Sequence, residues 1–394
     1  MKVKKRITGF SAMAGGLSAL FVISSPAWAA NIPVNFDKDS ETKETLEIYG
    51  KVRLSLDYAD SDLGDAPESP SKGLTDGSLG LSTNTTIIGF RGSYGIKDQP
   101  YTVVWQLEQN FDPDTDAKDT LANRDTFLGI KTPAGLFRVG RMDTPFKRTG
   151  IGNSLYVTTV GDPMAILGQS SAVSGRLDLR GANSLYWNGE LAGVKLAAQY
   201  ALDQDSGKYT LPDGSSAQGT KDYIDDNESD MYSVSAAYTL SGFTLSSAYI
   251  KYSEIYGGEV EGWRAGLRYK TDRLTLGGIY ENIDTDDTVA SGSLSRSAYG
   301  LYASYRILPR TTVGAQWMHA DESDLAAGDD GADQFTLAVY QQVFKPLRVY
   351  FAATTTKNDD NGQYRSGDYA HGDKIATVPG GDPMAVSVGA EFVF

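Results

Sequence analysis

The chain is written in a two-residue rhythm, and that rhythm narrows its possible folds more than any other feature. In "LEIYGKVRLSLDY", Leu46, Ile48, Gly50, Val52, Leu54, Leu56 and Tyr58 fall on one side, with Glu47, Tyr49, Lys51, Arg53, Ser55 and Asp57 on the other. "EGWRAGLRYK" sets Trp263, Ala265, Leu267 and Tyr269 against Arg264, Gly266, Arg268 and Lys270. The last residues, "VSVGAEFVF", place Val386, Val388, Ala390, Phe392 and Phe394 together. Side chains alternate across a strand and recur every 3.6 residues on a helix, so these stretches are strands with one apolar face.

The spacing predicts sixteen strands, over 45–58, 84–96, 100–111, 123–131, 135–143, 181–188, 192–203, 230–240, 242–253, 260–271, 273–284, 296–307, 310–321, 333–344, 347–357 and 383–394. Soluble strands are commonly about 5–6 residues long. A tilted membrane strand needs about 9–11, the length of most of these. Short turns such as "TPAG", "LSG" and "KPL" alternate with long polar connections such as 59–83, 204–229 and 358–382. That alternation, with aliphatic residues at every second position, predicts a transmembrane antiparallel β-barrel. An unpaired strand edge is prohibitive in lipid, so the last strand is expected to close on the first. The acidic long connections, such as "KDYIDDNESD", are read as solvated loops at the cell surface.

The first residues read differently. Lys2, Lys4, Lys5 and Arg6 precede an apolar run from Gly15 to Ile23 and the small-x-small triplet Ala27-Trp28-Ala29. This is the pattern of a cleaved secretory signal over 1–29, leaving a single barrel domain over 30–394. Losing those four cations takes the formal charge from −14 to −18, which argues against nucleic-acid partners. There is no cysteine, so no disulfide holds the exported chain together.

A sixteen-stranded barrel is too wide for side chains to fill. The longest connection among the early strands, 144–180, carries Leu155, Tyr156, Val157, Val160, Met164, Ile166 and Leu167. It is the candidate constriction, with Asp162 its clearest acid. Alternation puts Lys51, Arg53, Arg91, Arg138, Arg264, Arg268, Arg306 and Arg348 on polar faces, where they could steer ions. Strict alternation turns Arg141 outward unless a bulge or the start of the loop intervenes, so Arg138 and Arg141 both stand as candidates. The two histidines, His319 and His371, lie in no serine–histidine motif, and no cofactor or metal motif occurs. The chain is read as a channel and not an enzyme.

"KDSETKETLEIYGKVRLSLDY", "IIGFRGS", "LFRVGRMDTPFK", "RGANSLYWN" and the terminal "GAEFVF" together resemble the general diffusion porins of Gram-negative bacteria. The resemblance spans essentially all of the chain after residue 29 and rests on the order and spacing of these pieces. It implies a homotrimer of water-filled barrels in the outer membrane, in contact with lipid and lipopolysaccharide. Small hydrophilic solutes and ions would diffuse passively through each barrel, past a third external loop folded inward. A substrate-selective porin for a sugar or organic acid is the alternative on the same barrel. Position by position, the resemblance marks Lys51, Arg91, Arg141 and Arg180 as basic pore residues, with Arg176 close by. It marks Phe392 and Phe394 as the terminal strand read by the barrel assembly machinery. Two features depart from the family pattern: Ile87 stands where an arginine is common, and an acidic "PEFGG"-type loop motif is missing, which puts the charge of the neck in question.

Overall fold

The computed structural model describes residues 30–32, 44–69, 72–111, 123–168, 177–202, 204, 208–210, 216–218, 229–255, 258–288, 292–324, 328–367 and 370–394. The expected signal segment 1–29 and the candidate Arg176 lie outside these residues. Sixteen strands form one antiparallel barrel. The first half comprises β1 (Glu44–Asp60), β2 in two pieces (Ser78–Thr83 and Thr86–Gly95), β3 (Thr102–Phe111), β4 (Thr126–Thr132), β5 (Gly135–Asp143), β6 (Arg180–Leu191), β7 (Val194–Ala201) and β8 (Met231–Leu240). The second comprises β9 (Phe243–Ile255), β10 (Gly258–Lys270), β11 (Leu274–Thr288), β12 (Gly292–Leu308), β13 (Thr311–Ala320), β14 (Ala332–Phe344), β15 (Leu347–Asn358) and β16 (Met384–Val393). A helix, α1 (Pro145–Gly152), and a 3-10 turn, Pro163–Ala165, lie between β5 and β6.

Each strand pairs with its sequence neighbours, and β16 closes the cylinder on β1, from Lys51↔Val393 to Asp60↔Met384. Phe394 completes the seam by exchanging backbone hydrogen bonds with Gly50, at 2.9 and 3.0 Å. Below that point β1 extends past the last residue, and Ala30–Ile32 pairs there with Leu46–Ile48.

The alternation is realised as expected. On β1, Glu47, Ser55 and Asp57 are buried, while Val52, Leu56 and Tyr58 are exposed. Leu245, Leu301 and Leu337 are each at least 60% exposed on the outer face. Water would not tolerate such a continuous apolar band, but lipid solvates it. Two aromatic belts bound it. Tyr232–Tyr249, Trp263–Tyr280 and Tyr299–Trp317 lie near the long connections; Phe243–Tyr269 and Phe392–Phe394 lie near the short turns. Amphipathic rings favour these two interfacial levels.

The short turns show their chemistry. At Ala192-Gly193 and Ser241-Gly242 both central residues have positive φ, from 50° to 87°. That is the backbone of the tight hairpin turn whose twist matches the flanking strands, and glycine supplies it at no steric cost.

One strand differs from expectation. Residues 78–83, expected within a long connection, continue β2 beyond a break at Asn84-Thr85. Thr85 has φ 59°, and Arg53 answers the break by donating its backbone N–H to the Thr86 hydroxyl at 3.0 Å. Across the break the outward set switches from Leu79 and Leu81 to Ile88, Phe90 and Tyr94, so the sequence rhythm slips by one residue.

Gly50 lies under the closure seam. A Cβ there would meet the Phe394 ring at 2.6 Å and the Ile87 carbonyl at 2.7 Å. Gly50→Val is expected to destabilise the closed barrel by about 1–3 kcal/mol, the usual scale of overpacking. Heat-dependent gel migration of the folded barrel reads this as a lower unfolding temperature.

Candidate functional site

The connection between β5 and β6 is organised by side chains of distant strands. Thr144 caps α1, its hydroxyl accepting from the Lys147 N–H at 3.1 Å. Pro145 at the first turn needs no backbone partner for its nitrogen. The helix is then held along its length. Phe146 N–H donates to Ser233 Oγ on β8, Asn153 Nδ2 donates to Ser246 Oγ on β9, and Arg268 Nη1 donates to the Gly152 carbonyl. Further on, Gln316 of β13 accepts from Leu155 N–H and donates to the Gly161 carbonyl. Ser233, Ser246, Arg268 and Gln316 all occupy the polar positions of their strands.

The centre of these contacts is a fully buried charge network. Arg264 of β10 binds both oxygens of Asp178, at 2.6 and 2.7 Å, and its Nε donates to Glu281 of β11. Its Nη1 also reaches the Phe146 carbonyl, and the guanidinium lies 3.9 Å from the Phe146 ring centroid. Glu281 accepts in addition from Gly168 N–H at 2.8 Å and from Arg296 at 3.1 Å. Arg296 in turn donates to the Ile166 carbonyl at 3.3 Å. Arg264 was expected only as a polar-face cation; here it anchors the connection.

A second group of charges lines the wall near β1–β6 and β15–β16. Glu391 pairs with both Arg53 and Arg348. Arg53 also donates to Thr158 of the connection at 3.0 Å. Arg91 binds Glu47 through two parallel bonds of 2.6 and 2.7 Å. Glu108 holds Arg124 and accepts from the Tyr49 hydroxyl. Asp125 receives Arg148 at 2.7 Å and Arg180 at 2.9 Å, and Asp143 receives Lys147 and Arg180. Among the described residues, Lys51 and Arg138 have no carboxylate within ion-pair distance. Arg138 instead stacks on Tyr186 at 4.2 Å and donates to Asn188.

The structure separates the two alternatives after Gly140. Arg138 is buried, opposite Gly129 and Tyr186. Arg141 is exposed in the outward set of Phe137 and Val139, opposite Thr126. The bulge at Gly140–Met142 does not bring it inward: Met142 takes the buried position instead.

Asp162 also differs from expectation. It is fully buried, and its carboxylate accepts from the backbone N–H groups of Met164 at 3.0 Å and of Ala370 at 3.3 Å. It ties the connection to the last long loop. Phe392 and Phe394 occupy the closure strand as expected.

That last loop brings His371 into the wall. It is buried, 3.1 Å from Asp57 of β1, and its Nδ1 lies 2.7 Å from the Asp373 carbonyl. Burial alone would push the imidazole down. The Asp57 carboxylate outweighs burial, helped by Asp373, and the pKa lies above its ordinary value.

These features agree with known proteins. The family described as Gram-negative porin matches residues 16–361, and the chain belongs to that family. It is an outer-membrane β-barrel protein. Major outer membrane protein P.IB of Neisseria meningitidis serogroup B is 31% identical over 144 residues, which cover 33% of this chain and 39% of that relative. A second match to the same-named protein is 27% identical over 172 residues, covering 42% of this chain and 46% of the relative. The chain therefore aligns with less than half the length of these relatives. Among solved structures, an anion-selective porin from Comamonas acidovorans superposes with a TM-score of 0.72 at 19% identity, over 89% of this chain and all of that one. Salmonella typhi OmpF, in complex with daunomycin, gives 0.61 at 16% identity, over 89% of this chain and 98% of that one.

Two outcomes test the site. Arg264→Met leaves Asp178 and Glu281 buried without their main cation, a loss of about 3–5 kcal/mol for a broken buried pair. Limited proteolysis should then cut within 144–180 in otherwise folded barrels. For His371, the raised pKa means its contribution is present below the ordinary histidine value and is lost as pH rises through the folded value. Protease susceptibility of the loop after β15 should therefore increase between pH 5.5 and 8.5, and His371→Gln should remove that dependence.

Proposed function

We propose that the chain forms a water-filled channel for passive diffusion of ions and small hydrophilic solutes. In this reading the segment 144–180 is the constriction, and a net cationic wall favours anions. Family membership supports the channel class, and the contacts of α1 with polar positions of β8–β10 and β13 support the constriction.

The sign of the selectivity rests on one observation. Glu47, Glu108, Asp125, Asp143 and Glu391 each meet at least one guanidinium or ammonium, and Asp125, Asp143 and Glu391 each meet two cations. In this reading Lys51 and Arg138, which form no ion pair with a carboxylate among the described residues, add further cations to the wall. A narrow aqueous neck with low-dielectric walls focuses such a field, and salt screens it beyond about 8 Å at physiological strength. Among the described residues, the acids Asp321, Glu322, Asp329 and Asp330 lie in the connection between β13 and β14, where screening limits their reach. The anion selectivity of the Comamonas acidovorans porin is compatible with this sign.

The same reading makes the chain a homotrimer in contact with outer-membrane lipid and lipopolysaccharide. It also presents the strand ending in Phe392 and Phe394 to the barrel assembly machinery. Family membership supports these partners.

Reversal potential in planar bilayers under a tenfold potassium chloride gradient tests the proposal. The wild type is expected to prefer chloride, and Lys51→Glu combined with Arg138→Glu should move the potential toward potassium. Potassium preference in the wild type would contradict the reading.

A further inference from the structure

A second aromatic set faces inward, away from the lipid belts. Tyr340 and Tyr350 occupy polar-face positions of β14 and β15, and Tyr156 reaches them from the connection after α1. Tyr156 and Tyr340 stack with ring centroids 6.0 Å apart and planes 9° apart, while Tyr350 tilts against Tyr340 at 5.5 Å. The Arg348 guanidinium lies 4.6 Å from the Tyr340 ring centroid.

Beside this stack, between residues 151–157 and the wall of β12–β15, is a cleft of about 420 Å³. Small-molecule sites commonly measure about 300–1,000 Å³. Ile151, Leu155, Val157 and Val313 give it an apolar floor, while Arg310 and Arg348 supply charge. Among the described residues, no carboxylate lines it. Arg348 shares Glu391 with Arg53, so this corner carries excess positive charge.

Two buried donors on its wall, the Tyr156 hydroxyl and Arg348 Nε, have no hydrogen-bond partner among the described residues. Burial, then the neighbouring Tyr340, pushes the Tyr156 phenol above its ordinary value, so the hydroxyl remains a donor. Orphaned buried donors are costly, and their clustering here points to an acceptor from outside the chain.

The structure assigns this cleft as a binding subsite for a small aromatic carboxylate. The ring lies on the apolar floor beside Tyr156 and Tyr340, and the carboxylate faces Arg348 and Arg310. Guanidinium–carboxylate pairing and aromatic contact are the strong interactions such a lining offers. A sugar uses this lining less fully: Ser154, Ser304, Thr312 and Gln342 could meet its hydroxyls, but a sugar brings no anion for Arg310 and Arg348. The assignment rests on the channel reading and specifies a solute class for it.

The test uses the full-length protein in planar bilayers, with chloride as the current carrier and benzoate added to one side. Cyclohexanecarboxylate, benzyl alcohol and glucose serve as comparison solutes. Benzoate is expected to block the chloride current saturably, and each comparison solute more weakly. Tyr340→Leu and Arg348→Gln, checked for folding by heat-dependent gel migration, should each raise the half-blocking concentration about tenfold, the scale of one desolvated contact. Absence of any chloride conductance would overturn the channel reading itself. A conducting channel with no saturable benzoate block, with equal block by cyclohexanecarboxylate or glucose, or with unchanged block in both variants would overturn the subsite alone.

Discussion

Two arginines and two carboxylates, buried together where β10, β11 and β12 meet the segment after β5, hold the functional geometry in place. Arg264 and Arg296 share Glu281, and Arg264 also binds Asp178. Isolated charges at such depth would be prohibitive, so the network exists only because each member pairs with another and the backbone of 146, 166 and 168 takes up part of the remaining capacity. The arrangement is two-sided. Strands that carry the cations cannot bury them without the segment, and the segment cannot stay against the wall without the cations. The position of α1, and with it everything proposed about the neck, follows from this mutual requirement.

The barrel supplies the frame on which that network can form. Its closure depends on a narrow seam, where Phe394 and Gly50 exchange backbone bonds and the terminal ring covers a residue with no side chain. Closure satisfies the backbone against lipid, the outward alternation supplies the apolar band, and the inward alternation leaves a polar wall. The inner wall is then free to be specialised by region. Basic pairs gather near β1–β6, the buried anchor sits on β10–β12, and an aromatic and arginine surface lies on β14–β15.

Much of this was legible in the sequence, because period-two alternation is a local property that each strand displays on its own. The exception shows why: at Asn84-Thr85 the phase slips by one residue, and the strand piece before the slip, Ser78–Thr83, reads as loop. Alternation likewise chose Arg138 correctly for the buried face, whereas matching by family pattern favoured Arg141. What the sequence could not show was long-range partnership. Nothing near Asp162 in the chain indicates that it also accepts a backbone bond from Ala370, and nothing near Arg264 announces Asp178 and Glu281. Likewise, only the folded chain brings Tyr156, Tyr340 and Tyr350 to one surface.

The central claim is that the segment following β5 is fixed against the inner wall in the conducting protein. The chain has no cysteine, so a single introduced pair can be read without interference. Asn153 and Ser246 lie in hydrogen-bond contact, at 2.8 Å. In the double variant Asn153→Cys with Ser246→Cys, the account predicts that an intramolecular disulfide forms under mild oxidation. Single-channel conductance and reversal potential should be the same before and after reduction. Failure to cross-link in folded barrels, or conductance that changes when the bond is reduced, would contradict it.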